Sequence, residues 1–142
     1  MILPPLFEFG KLTMIDPGIP GEERIVFRPT EPLNMAQCGL LLGWKDTTGM
    51  IIPLPNCFYW FGDYIVTPPC WIVVYTGQGK FNIGDFNGQP VYVHYWGMDH
   101  TLFNYSEQIP LLIKFSGVQV GESLKLLPSY VETQKQLIQP AK

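Results

Sequence analysis

Apolar residues fall along this chain in short runs rich in Val, Ile, Tyr, Phe and Trp, each closed off by Gly, Pro or Asn. That is the pattern of many short β-strands with turns between them, and it leaves little room for helix. The runs give at most twelve candidate strands: Leu6 to Phe9, Arg24 to Arg28, Cys38 to Trp44, Met50 to Pro53, Phe58 to Phe61, Tyr64 to Val66, Trp71 to Thr76, Phe81 to Phe86, Val91 to Trp96, Thr101 to Phe103, Leu111 to Phe115 and Ser123 to Leu127. Asn87-Gly88 between two aromatic-rich runs predicts a tight hairpin over Phe81 to Trp96, because both residues accept the positive φ that a primed turn needs. Trp71-Ile72-Val73-Val74-Tyr75 shows no polar alternation, so it is expected to be a strand buried on both faces or placed at the centre of a sandwich.

Residues 1–127 therefore read as a single all-β domain, an antiparallel β-sandwich of jelly-roll-like strand count or a barrel. Residues 128–142 differ in kind. Tyr130, Val131, Leu137 and Ile138 stand among Glu, Thr, Gln and Lys, with Pro140 as a stop, which fits a short C-terminal helix or a flexible tail. Fourteen Gly and fourteen Pro in 142 residues reinforce the low helix content.

Charge narrows the partners. Nine basic and twelve acidic residues give a net charge of -3 with no basic stripe, so nucleic acid is not an expected partner. Between Lys45 and Lys80 the only charges are Asp46 and Asp63, which makes this middle stretch core, interface or both. Its charge-free segments, Thr47 to Gly62 and Tyr64 to Gly79, hold sixteen residues each and are interrupted by prolines, too short and too broken for a membrane helix. The first residues carry neither a basic region nor a continuous apolar one, so no membrane association and a cytoplasmic location are expected.

Most catalytic motifs fail on inspection. Gly77-Gln78-Gly79 begins like a dinucleotide fingerprint, but Asn82 stands where the third glycine belongs and a strand, not a helix, follows. No nucleophile-elbow pattern surrounds any serine. Cys38, Cys57 and Cys70 form an odd set without a C-x-x-C pair and read as reduced, partly buried thiols. The sequence names no cofactor.

Two groups of residues remain. His94, Asp99 and His100 could meet at one rim across a turn and hold a metal through two imidazoles and a carboxylate. Phe58, Tyr59, Trp60 and Tyr64, with Tyr92 and Trp96, form the aromatic resource. Consecutive strand residues point to opposite faces, so some of these rings must lie at a surface and are candidates for ligand or partner binding. The leading expectation is a non-catalytic interaction module that binds a protein partner or assembles with itself into a homo-oligomer, as an assembly subunit or an inhibitor or immunity-type protein. The alternatives are a carbohydrate-binding module stacking a glycan on Trp60, Tyr92 or Trp96, and a small metal-dependent enzyme at His94, Asp99 and His100.

Overall fold

A computed structural model of the chain describes residues 6–123 and 125–138. It is all-β, with ten strands, one short helix and no closed barrel among the described residues. Strands β1 (Thr13–Ile15), β2 (Arg24–Phe27), β7 (Trp71–Tyr75), β8 (Asn82–Phe86) and β9 (Gln89–Tyr95) make a five-stranded sheet in the order β1-β2-β7-β9-β8. Strands β4 (Cys38–Lys45), β5 (Ile51–Trp60) and β10 (Gln108–Lys114) make a three-stranded sheet in the order β10-β4-β5. The short strands β3 (Leu33–Asn34) and β6 (Ile65–Val66) pair with each other. Helix α1 spans Tyr130–Ile138, so the C-terminal stretch takes the helical of its two expected forms.

The hairpin forms where Asn87-Gly88 places it. Both turn residues have positive φ, 53° and 81°, and Phe86 pairs with Gln89 across them. The expectation of a wholly antiparallel sheet is corrected by one pair, because β7 and β9 run parallel, with Trp71 opposite Val91 and Tyr75 opposite Tyr95. The cause is the loop after β7. It carries the chain past the neighbouring position to the sheet edge, where β8 descends, and the tight hairpin then returns β9 into the gap between β8 and β7.

Both sheets contribute their inner faces to a single buried cluster. Ile25 and Phe27 of β2, Val66 of β6 and Ile72 and Val74 of β7 join Leu40 and Leu42 of β4 there, with Phe9, Met35, Phe61 and Phe103 from the connections. Ile72 and Val74 are buried whereas Trp71, Val73 and Tyr75 are only half-buried, so β7 is covered on one face rather than on both, and it takes the central position of its sheet. Cys38 and Cys70 are buried free thiols and Cys57 is a half-buried one. Desolvation pushes the Cys38 thiol up to about 11, which keeps it protonated and inert.

Several strand expectations are revised. Phe7–Phe9 is a 3-10 turn rather than part of a strand, closed by Gly10 N–H donating to the Phe7 carbonyl. The two runs Met50 to Pro53 and Phe58 to Phe61 merge into the single edge strand β5, where prolines leave no central ladder bond unmade; the register against β4 shifts between Leu41 and Gly43. Thr101 to Phe103 is not a strand, and Lys125 to Leu127 lie in a turn, Leu124 being outside the described residues. Two short strands, β1 and β3, arise where no run predicts one.

On the outer face of the three-stranded sheet the Phe58 ring lies directly over Gly39, and a methyl group there would collide with it while standing 2.9 Å from the Tyr59 carbonyl oxygen. Gly39→Ala is therefore expected to cost about 1–3 kcal/mol, seen as a lower urea midpoint with an unchanged denaturant slope.

Candidate functional site

The five-stranded sheet is wider than the sheet that faces it. Strand β8 is exposed along its whole length, including Ile83, whose side chain points inward yet remains 61% exposed. Beside it, the inner face of β9 meets the end of β5 and the Gly62–Ile65 turn, and a cleft of about 470 Å³ opens there. The sequence places aromatic residues at the inward positions of both strands, so the cleft is walled by rings: Tyr59 and Phe61 at the end of β5, Tyr64 in the turn, Phe81 before β8 and Tyr92 on β9.

His94 lies at the base of this group, 1% exposed. Its Nδ1 is 2.8 Å from the Tyr59 hydroxyl and its Nε2 2.6 Å from the Tyr64 hydroxyl. Burial without a compensating charge pulls the imidazole down to about 4, so it is neutral at physiological pH. A neutral imidazole carries one N–H and one lone pair. One tyrosine hydroxyl must therefore accept from the ring and the other must donate to it. Desolvation also raises both phenols above the usual tyrosine range, Tyr64 more strongly than Tyr59 and with a smaller contribution from Tyr59 itself. The Phe81 ring packs on His94 at 4.8 Å between centroids, and Tyr64 packs on His94 at 5.8 Å and on Tyr92 at 5.4 Å. The result is a rigid Tyr-His-Tyr bridge between the two sheets, roofed by aromatic rings.

The six aromatic candidates separate by face. Tyr59, Tyr64 and Tyr92 converge on the cleft, whereas Trp96 lies buried behind Tyr59, with ring centroids 6.0 Å apart. Phe58 and Trp60 point to the opposite face of β5, where Trp60 is 51% exposed and donates its indole N–H to the Ala36 carbonyl. Of the three rings considered for stacking on a glycan, only Tyr92 borders the cleft.

The structure does not bring His94, Asp99 and His100 together. Both imidazole nitrogens of His94 are engaged by tyrosines, while Asp99 and His100 are exposed and pair with each other at 2.6 Å beside a separate hollow of about 140 Å³. The His100 hydrogen bond holds the Asp99 carboxyl below its usual range. Among the described residues, no group of three or more His, Cys, Asp or Glu side chains is placed to hold a metal. The strand end sends His94 inward, and the positive φ of Gly97 turns the following residues away from it.

A second surface stands apart from the cleft. On the outer face of the five-stranded sheet, Ile15, Val26, Trp71, Val73, Phe86 and Val91 line a shallow hollow of about 330 Å³. Its flanks are amphipathic. Arg28 lies over the Trp71 ring at 5.0 Å and Arg24 over Tyr75 at 5.6 Å, and Tyr75 stacks on Tyr95 at 5.4 Å. Alternation along β2 and β7 dictates this composition, since both strands place apolar residues on both faces.

Sequence reasoning missed Glu23, Asp63, Phe81 and Ile83. Glu23 sits in the acidic pair Glu22-Glu23, which by composition reads as a solvated loop, yet it is 1% exposed. Its carboxylate accepts four hydrogen bonds, from the N–H groups of Gly18, Leu102 and Phe103 and from the Thr76 hydroxyl. No local signal separates it from its exposed neighbour. Phe81 and Ile83 could have been found from the hairpin register, which puts Ile83 opposite Tyr92 on the His94 face.

No helix among the described residues is long and apolar enough to cross a membrane. No family model matches this chain, and no match was found among curated proteins or solved structures.

Proposed function

We propose that this chain is a jelly-roll-like β-sandwich that works as a non-catalytic interaction module, binding copies of itself or a protein partner through the outer face of its five-stranded sheet. The observation that carries this reading is the composition of that face. Six apolar side chains from β1, β2, β7, β8 and β9 are contiguous there, and Arg24 and Arg28 lie over aromatic rings at its margin. A solvated outer face would alternate to polar residues. Contiguous apolar surface framed by aromatic and Arg side chains is the make-up of a protein-facing patch.

The chemistry of His94 supports a binding rather than a proton-transfer role. A general base working near neutral pH needs a matched pKa and a free nitrogen, and His94 has been drawn down to about 4 with both nitrogens engaged.

Val73 stands at the centre of the outer face, its side chain only half-buried. Light scattering over a concentration series is expected to show the wild-type chain associating and Val73→Glu remaining monomeric, with the same circular dichroism spectrum. Wild-type chain that stays monomeric at every concentration would remove the self-assembly form of this reading. Wild type and Val73→Glu that associate equally would remove the face.

A further inference from the structure

We propose that the His94 cleft binds a small organic cation, an alkylated ammonium group, through the faces of Tyr64, Phe81 and Tyr92 and the carboxylate of Asp63. This site is separate from the outer-face docking surface, and the two can fail independently.

The argument starts from what the cleft offers a ligand. Its volume of about 470 Å³ suits a small molecule. Its walls are rings and the aliphatic side chains of Ile65 and Ile83, so the body of the ligand must be apolar. Two of its three tyrosine hydroxyls, those of Tyr59 and Tyr64, are already engaged with His94. A sugar, which presents hydroxyls around its ring, would find few directional partners.

Charge then selects among apolar ligands. Among the described residues, Asp63 is the one carboxylate lining the cleft, and no Lys or Arg lines it. The ring faces present the negative side of their quadrupoles, which attracts cations and repels anions. His94 adds no opposing charge, since it is neutral and lies beneath the rings. Ring faces and carboxylate therefore act with the same sign. The rings pack on one another at 4.8–5.8 Å and admit no group between them, so the cation lies over the ring group, between the Gly62–Ile65 turn and β8.

The test compares choline with its uncharged carbon isostere, in which a tert-butyl group replaces trimethylammonium, each titrated into the full chain and followed by backbone amide shifts. Choline is expected to move the amides of residues 62–65, 81–83 and 92–94 and to bind about two- to thirty-fold more tightly than the isostere, the span that cation–π attraction supplies. Tyr92→Leu keeps the apolar wall and should reduce that preference while leaving isostere binding in place. Asp63→Asn lies on an exposed turn, leaves the core untouched and should weaken choline alone. Equal binding of choline and the isostere would overturn the proposal in favour of a merely apolar cleft. Choline that produces no saturable shift, or shifts only residues outside the cleft, would overturn it outright.

Discussion

Glu23→Ala is expected to destabilise the chain by about 4 kcal/mol, the largest effect of any single substitution outside the apolar core. The carboxylate ties its own Gly18 loop to two distant pieces of chain, the Thr76 end of β7 and the Leu102–Phe103 segment, through four hydrogen bonds of 2.6–3.1 Å. Truncation leaves the Leu102 and Phe103 N–H groups, both in buried hydrogen bonds, without their acceptor. Glu23→Gln separates acceptor chemistry from packing. It fills the same space but turns one end of the group from an acceptor into a donor that faces donors, so it should still cost about 2 kcal/mol. Urea unfolding of both variants measures this. A glutamine variant as stable as wild type would show that the carboxylate fills volume and does not organise the loops.

Acid is expected to weaken the fold earlier than its carboxylates alone would dictate, because of His94. The folded-state value of about 4 lies below the ordinary histidine value of 6.5. The unfolded chain therefore takes up a proton in a range where the folded chain does not, and stability falls as pH drops from about 6.5 to about 4. The full loss is about 3 kcal/mol, of which about 2 kcal/mol is gone by about pH 5. Above about pH 7.5 the imidazole is neutral in both states and has no influence on the slope. Denaturant midpoints measured across this range, for wild type and for His94→Gln, isolate the contribution. The glutamine variant has nothing to protonate at this site, so its stability should be flatter between about pH 6.5 and pH 5, a window above the carboxylate range. Parallel curves for the two proteins would mean that His94 charges in place.

Much of the architecture was written locally. The Asn87-Gly88 hairpin, the strands β4, β7, β8 and β9 and the helical pattern after Pro128 each follow from propensity and turn chemistry within a few residues. The surplus of aromatic residues over inward positions was legible too, since Phe58 and Trp60 do emerge on one face of β5 while Tyr59 points inward. What failed was non-local. Strands β1 and β3 are two or three residues long and exist because Ile25 and Val66 lie opposite them, not because their own residues demand extension. The parallel pairing of β7 with β9 depends on how far one loop carries the chain, which no residue pattern within either strand records.

The candidate site divides in the same way. Tyr59, Tyr64, Tyr92 and His94 stood out as chemistry-bearing residues in the sequence, and alternation puts Tyr92 and His94 on one strand face. That Tyr59 and Tyr64 close on the two nitrogens of one histidine, 35 and 30 positions away, was decided by the packing of one sheet on the other. The same packing parted His94 from Asp99 and His100, its near neighbours in sequence. The sequence by itself determined the all-β class and the supply of rings, because propensity, turn chemistry and alternation act over a few residues. Only the tertiary structure decided which rings meet, which glutamate is buried and where the narrower sheet leaves a cleft, because those outcomes rest on contacts between segments tens of residues apart.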